Sequence, residues 1–161
     1  MKKLLLVVVV LLSLGLSGTV LGKTSYQGDD DLKVEAERGF GEILDLWRDG
    51  KYEALYDRTE GGGTVTREDF VGRLAKAPYR PVCCWEKLQE VRVVLKNDDT
   101  ARIRAKVGLE GNARNFTSTR DYRLVREDGV WRIAMKDILS MAGGSKSKVH
   151  RARKQKKKKH F

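Results

Sequence analysis

The sequence predicts an α+β domain in which three N-terminal helices pack on the concave face of a curved, four-stranded antiparallel sheet. Three observations predict it. Between Leu32 and Leu74 apolar residues recur at steps of three and four. After Pro81 the apolar period drops to two. Turn signals at Asn97-Asp98-Asp99, Gly111-Asn112 and Asp128-Gly129 then divide the alternating stretch into strands. Helices followed by a meander of half-buried strands are the pattern of an α+β layer.

The chain starts with Met1-Lys2-Lys3, an apolar run from Leu4 to Leu12, and the small residues Gly15, Ser17, Gly18, Thr19 and Gly22. Positive, apolar, then small is the order of a secretory signal peptide, so residues 1–22 are read as one, ending before Lys23. The alternative is an uncleaved anchor, because the uncharged run from Leu4 to Gly22 is 19 residues, just long enough to span a bilayer. Under either reading the lysines hold the start in the cytoplasm and the domain lies outside it, periplasmic, secreted or anchored at the inner membrane. Leu16-Ser17-Gly18 is followed by Thr19, which has no thiol to carry a lipid, so lipidation is not predicted.

Residues 23–30 read as a polar linker, and residues 31–142 as the domain. Leu32, Ala36, Phe40, Ile43, Leu44 and Trp47 form the stripe of the first helix, which Asp49-Gly50 ends. Tyr52, Leu55 and Tyr56 mark a short second helix. Gly61-Gly62-Gly63 is a loop without the Gly-Lys-Ser/Thr of a phosphate site. Thr66 caps a third helix with Asp69 at its third position, and Pro78 and Pro81 stop it. In the strands, Trp85, Val91, Val93 and Leu95, then Ala101 to Leu109 at odd positions, then Tyr122 and Leu124, then Trp131, Ile133 and Met135 face inward, and Phe116 falls in the third strand. Arg92, Arg102, Arg104, Lys106, Arg123, Arg126 and Arg132 are placed outward.

The net charge of +11 suggests a nucleic-acid binder until its distribution is seen. Residues 23–145 hold 22 basic and 22 acidic residues, whereas residues 146–161 hold nine cations and no acid. The domain is neutral, and residues 143–161 are a basic tail too poor in apolar residues to fold. Its cations, Lys154, Lys156, Lys157, Lys158 and Lys159 among them, are expected to contact anionic lipid or cell-wall polymer. No aromatics interleave them, so any nucleic-acid binding would be nonspecific and salt-sensitive. Both histidines, His150 and His160, lie in this tail, so no metal or cofactor is expected in the domain. Cys83 and Cys84 are adjacent; one buried and one exposed thiol is the expectation, with a vicinal disulfide or an intermolecular bridge as alternatives.

Three stretches carry a resemblance. Leu46 to Tyr56 (Leu-Trp-Arg-Asp-Gly-Lys-Tyr-Glu-Ala-Leu-Tyr), the Thr66 to Leu74 helix, and Arg126 to Ile133 with its Asp128-Gly129 hairpin and Trp131 together resemble the nuclear transport factor 2-like superfamily, with its cystatin-like cone. The resemblance covers roughly residues 31–141 and concerns fold. It implies a cone whose interior could hold a ligand or catalytic groups, and dimerisation through the sheet face. The inward set contains no carboxylate and no histidine, so the expectation is a non-catalytic binding module. Arg92, Arg102, Arg104 and Arg123 are the candidate contacts for an acidic partner or a second copy. The alternative is a cone domain binding a small apolar ligand, or weakly enzymatic in the manner of an isomerase or dehydratase, lined by Trp47, Tyr56, Phe70, Tyr122 and Trp131.

Overall fold

A computed structural model describes residues 25–111 and 115–143. The leader before Ser25 and the tail cations Lys154 and Lys156 to Lys159 lie outside the described residues. Among the described residues no helix is long and apolar enough to cross a membrane.

Helix α1 spans Ser25–Arg48. It starts well before Leu32, the first residue of the expected stripe, so most of the segment read as linker is helical. Once a helix is nucleated each added residue gains a hydrogen bond, and the Lys33–Asp30 ion pair at 2.8 Å supports the exposed stretch from Gly28. Ala36, Phe40, Ile43, Leu44 and Trp47 are buried as the stripe predicts. Gly50, at φ +74°, makes the left-handed turn that ends α1 and starts α2, Tyr52–Asp57.

Helix α3, Arg67–Ala75, is capped as expected: the Thr66 hydroxyl accepts from the Asp69 amide at 3.1 Å. Thr66→Ala should destabilise the protein by about 1 kcal/mol, read as a shift in the urea midpoint. Arg67 ties α3 to α2 through Asp57, at 2.6 Å, and lies over the Tyr56 ring at 4.7 Å. Its hydrogen bonds hold the Asp57 carboxyl below the ordinary carboxylate value.

The sheet has six strands rather than four. They are β1 (Thr59–Glu60), β2 (Tyr79–Pro81), β3 (Leu88–Asn97), β4 (Thr100–Gly111), β5 (Phe116–Glu127) and β6 (Val130–Ala134). The order is β1-β6-β5-β4, with β4 pairing β2 at one end and β3 along the rest. β1 runs parallel to β6, so the sheet is mixed and not purely antiparallel. Two- and three-residue strands are too short to show a period, which is why the sequence pattern does not reveal β1 and β2. Asp128 and Gly129, both at positive φ, form the expected hairpin.

Two further corrections concern side chains. Trp85, expected inward on a strand, is 73% exposed in a 3₁₀ turn, Cys84–Lys87. Arg126, placed outward, shares the parity of Tyr122 and Leu124, and its guanidinium meets Glu35 of α1 at 3.2 Å.

Met135, expected to close the last strand, instead opens a fourth helix, α4 (Met135–Ala142). Met135, Ile138, Met141 and Ala142 are its buried face. α4 touches both β6 and β2, strands far apart in the sheet order, as well as α3. The sheet is therefore curled like a half-barrel, with α1 against β3 and β6 inside the curl and α4 across its opening.

Candidate functional site

Four of the five aromatic candidates, Trp47, Phe70, Tyr122 and Trp131, belong to one buried core, and Tyr56 packs against it. Tyr56 meets Phe70 edge-on at 5.6 Å, while Tyr122 meets Phe40 at 4.8 Å. Trp47, Phe70 and Tyr122 are buried in the core. Trp131, also buried, borders a cleft of about 270 Å³ between α1 and the β5–β6 turn, lined by Glu35, Arg38, Glu42 and Arg58. Arg58 closes that cleft: its guanidinium donates to the Trp131 carbonyl at 3.0 Å and to the Gly39 carbonyl at 3.3 Å.

Around Tyr122 the structure gathers polar groups that alternation alone does not indicate. Arg120 has the same parity and lies over the Tyr122 ring at 5.2 Å. It donates to the Asp137 carbonyl at 3.0 Å and the Ser140 hydroxyl at 3.2 Å, fastening α4 to the sheet. The Tyr122 hydroxyl lies 3.3 Å from the Met141 sulfur and 3.4 Å from the Ser118 carbonyl. Burial pushes this phenol above its ordinary value, so it stays protonated and can only donate or accept a hydrogen bond at neutral pH. Asp137 and Ser140 belong to α4, the helix that strand alternation conceals.

The outer sheet face is a clearer assembly. Arg92, Arg102, Arg104 and Arg123 are all exposed there, and the register brings them together. Arg92 lies opposite Arg104, and Arg102 lies opposite Arg123. Like charges directly opposite one another destabilise a sheet. Two of the four are compensated: Arg104 pairs with Asp121 at 3.6 Å and Arg123 with Glu60 at 2.8 Å. Arg92 and Arg102 form no ion pair with any described residue. Beside them, opposite Arg102, stands Val94, 53% exposed. Val94 is thus an exposed apolar side chain set among arginines, two of which form no ion pair with a described residue. Among the described residues no cluster of His, Cys, Asp and Glu could hold a metal ion.

No protein-family model matches the sequence, and no curated protein matches it. Among solved structures it is similar in outline to a candidate polyketide cyclase from Xanthomonas campestris pv. campestris, at 12% identity and a TM-score of 0.42, over 69% of this chain and 98% of that one. The likeness is one of chain path, and no residue's role passes from it to this chain.

Proposed function

We propose that this chain is an exported, non-catalytic binding module of the nuclear transport factor 2-like kind, which engages an acidic partner or a second copy on the outer face of its sheet. The observation that supports this reading is the arginine patch around Val94, in which Arg92 and Arg102 have no counter-ion among the described residues. An acidic partner would supply anions to these two exposed cations and relieve the cross-strand repulsion. The interior supports it too, since Phe40, Tyr122, Ile138 and Met141 are buried together in one hydrophobic core. Residues 1–22 would carry the domain out of the cytoplasm. The tail would add a nonspecific hold on anionic lipid or cell-wall polymer, worth up to about 1 kcal/mol per cation near a charged surface.

The test separates face from tail. Full-length protein with Lys154 and Lys156 to Lys159 replaced by Gln is passed over an immobilised poly-glutamate surface, and its self-association is followed by sedimentation. Adding Arg92→Glu and Arg102→Glu leaves both internal ion pairs in place. It is expected to weaken retention or dimerisation roughly tenfold or more, with circular dichroism unchanged. Equal retention and equal dimerisation with and without the two reversals would refute the reading.

A further inference from the structure

Cys83 and Cys84 play no part in that reading, and the structure places them unusually. The two sulfurs are joined as a disulfide between sequence neighbours. Both residues are exposed, where one buried thiol was the expectation. Successive side chains of an extended strand point to opposite faces. Here the backbone of Cys84 turns to φ +63°, a left-handed conformation rare outside glycine, so that the alternation breaks and both sulfurs meet. The pair sits in the bulge between β2 and β3. Each end of that bulge is fastened: the Val82 amide donates to the Gly108 carbonyl at 3.1 Å, the Gln89 side chain donates to the Glu86 carbonyl at 2.9 Å, and Lys87 pairs with Asp45 of α1. Next to the sulfurs stands Trp85, the one exposed tryptophan of the three.

We propose that Cys83 and Cys84 form a thiol–disulfide exchange site whose substrate is a thiol, with Trp85 as its apolar flank. The incoming thiolate attacks one sulfur, the Cys83–Cys84 bond breaks, and the other sulfur leaves as a thiolate that takes a proton from solvent. A second thiolate attacks the mixed disulfide and releases the remaining cysteine. Two thiols are thereby oxidised to one disulfide, and the protein pair gains two electrons and two protons. Exposure of both sulfurs gives the attack its access. Because Val82, Glu86 and Lys87 hold the flanks, opening the pair frees only the bulge and leaves the β3–β4 ladder intact. Cys84 is then released from its left-handed turn, and Trp85 changes its surroundings. An exported protein would meet compartments where such a pair can persist oxidised.

The experiment uses the full chain in native buffer. Thiol titration with Ellman's reagent should find no thiol in the air-oxidised protein and two after brief dithiothreitol treatment. Tryptophan emission should change in step, and oxidised glutathione should reverse both. Trp85→Phe should keep the thiol count and lose the emission change. Cys84→Ser, with Cys83 alone, should retain one glutathione as a stable mixed disulfide by mass, whereas the unaltered chain expels it through the neighbouring cysteine. Two free thiols that persist after oxidised glutathione, thiols released only in denaturant, or glutathione retained equally by both proteins would each overturn the proposal.

Discussion

Trp131→Ala is expected to lower the unfolding free energy by about 3–5 kcal/mol, a large share of the roughly 5–15 kcal/mol of a typical domain. Trp131 is 2% exposed and lies where β6 meets α1. The fit there is close: a methyl group at Gly39 would come within 2.9 Å of the Trp131 Cβ. Truncation removes the indole and opens a cavity that the backbone of α1 cannot fill, because Arg58 holds the carbonyls of Gly39 and Trp131 at fixed positions. Trp131→Phe should cost distinctly less. It keeps most of the apolar volume, and the indole Nε1 it deletes is buried without a hydrogen-bond partner among the described residues. Urea unfolding checks both, with the midpoint falling further for Ala than for Phe and the slope unchanged. A loss under about 1 kcal/mol for the alanine variant would mean that α1 does not pack on β6 as described.

Trp131 was legible in the sequence because its strand alternates cleanly and its turn, Asp128-Gly129, is specific to hairpins. The same holds for the α1 stripe, for Gly50 and for the Thr66 cap, where local chemistry and tertiary structure demand the same thing. Legibility failed where one pattern runs into another. Met135 fits the alternation of β6 and equally the apolar face of α4, since a residue at a strand–helix junction satisfies both periods. Trp85 looked like a strand residue because a bulge interrupts the edge between β2 and β3, and an interruption of that kind leaves no periodic trace. The outer arginines could be assigned to one face from parity alone. That Arg92 and Arg102 have no counter-ion among the described residues could not, because it depends on which residue of β4 and β5 stands opposite each, and on Glu60 arriving from the two-residue strand β1 to pair with Arg123.

Gly108→Ala is the second large effect expected, at about 1–3 kcal/mol. A Cβ at this position would lie 2.4 Å from the Glu86 carbonyl oxygen and 2.7 Å from a methyl of Val82. Neither neighbour can swing away: one is backbone, and the other belongs to a buried β-branched side chain on the same bulge. Relief requires lifting Val82–Lys87 off β4, which lengthens the Val82-to-Gly108 hydrogen bond and pulls on Lys87 and Asp45. Gly62→Ala is the fitting comparison. Its Cβ would approach Met135 Cε at 2.6 Å, a contact that is shorter than any real one yet involves the free end of a flexible thioether. Met135 can take another rotamer, so Gly62→Ala should change stability by no more than about 0.5 kcal/mol. Thermal or urea unfolding of the two variants side by side decides the matter. If both glycines tolerate alanine equally, the bulge carrying Cys83 and Cys84 is not seated on β4, and the fixed flanks that confine its opening are absent. If only Gly108 resists, the bulge is held at both ends, and opening the disulfide changes that segment alone.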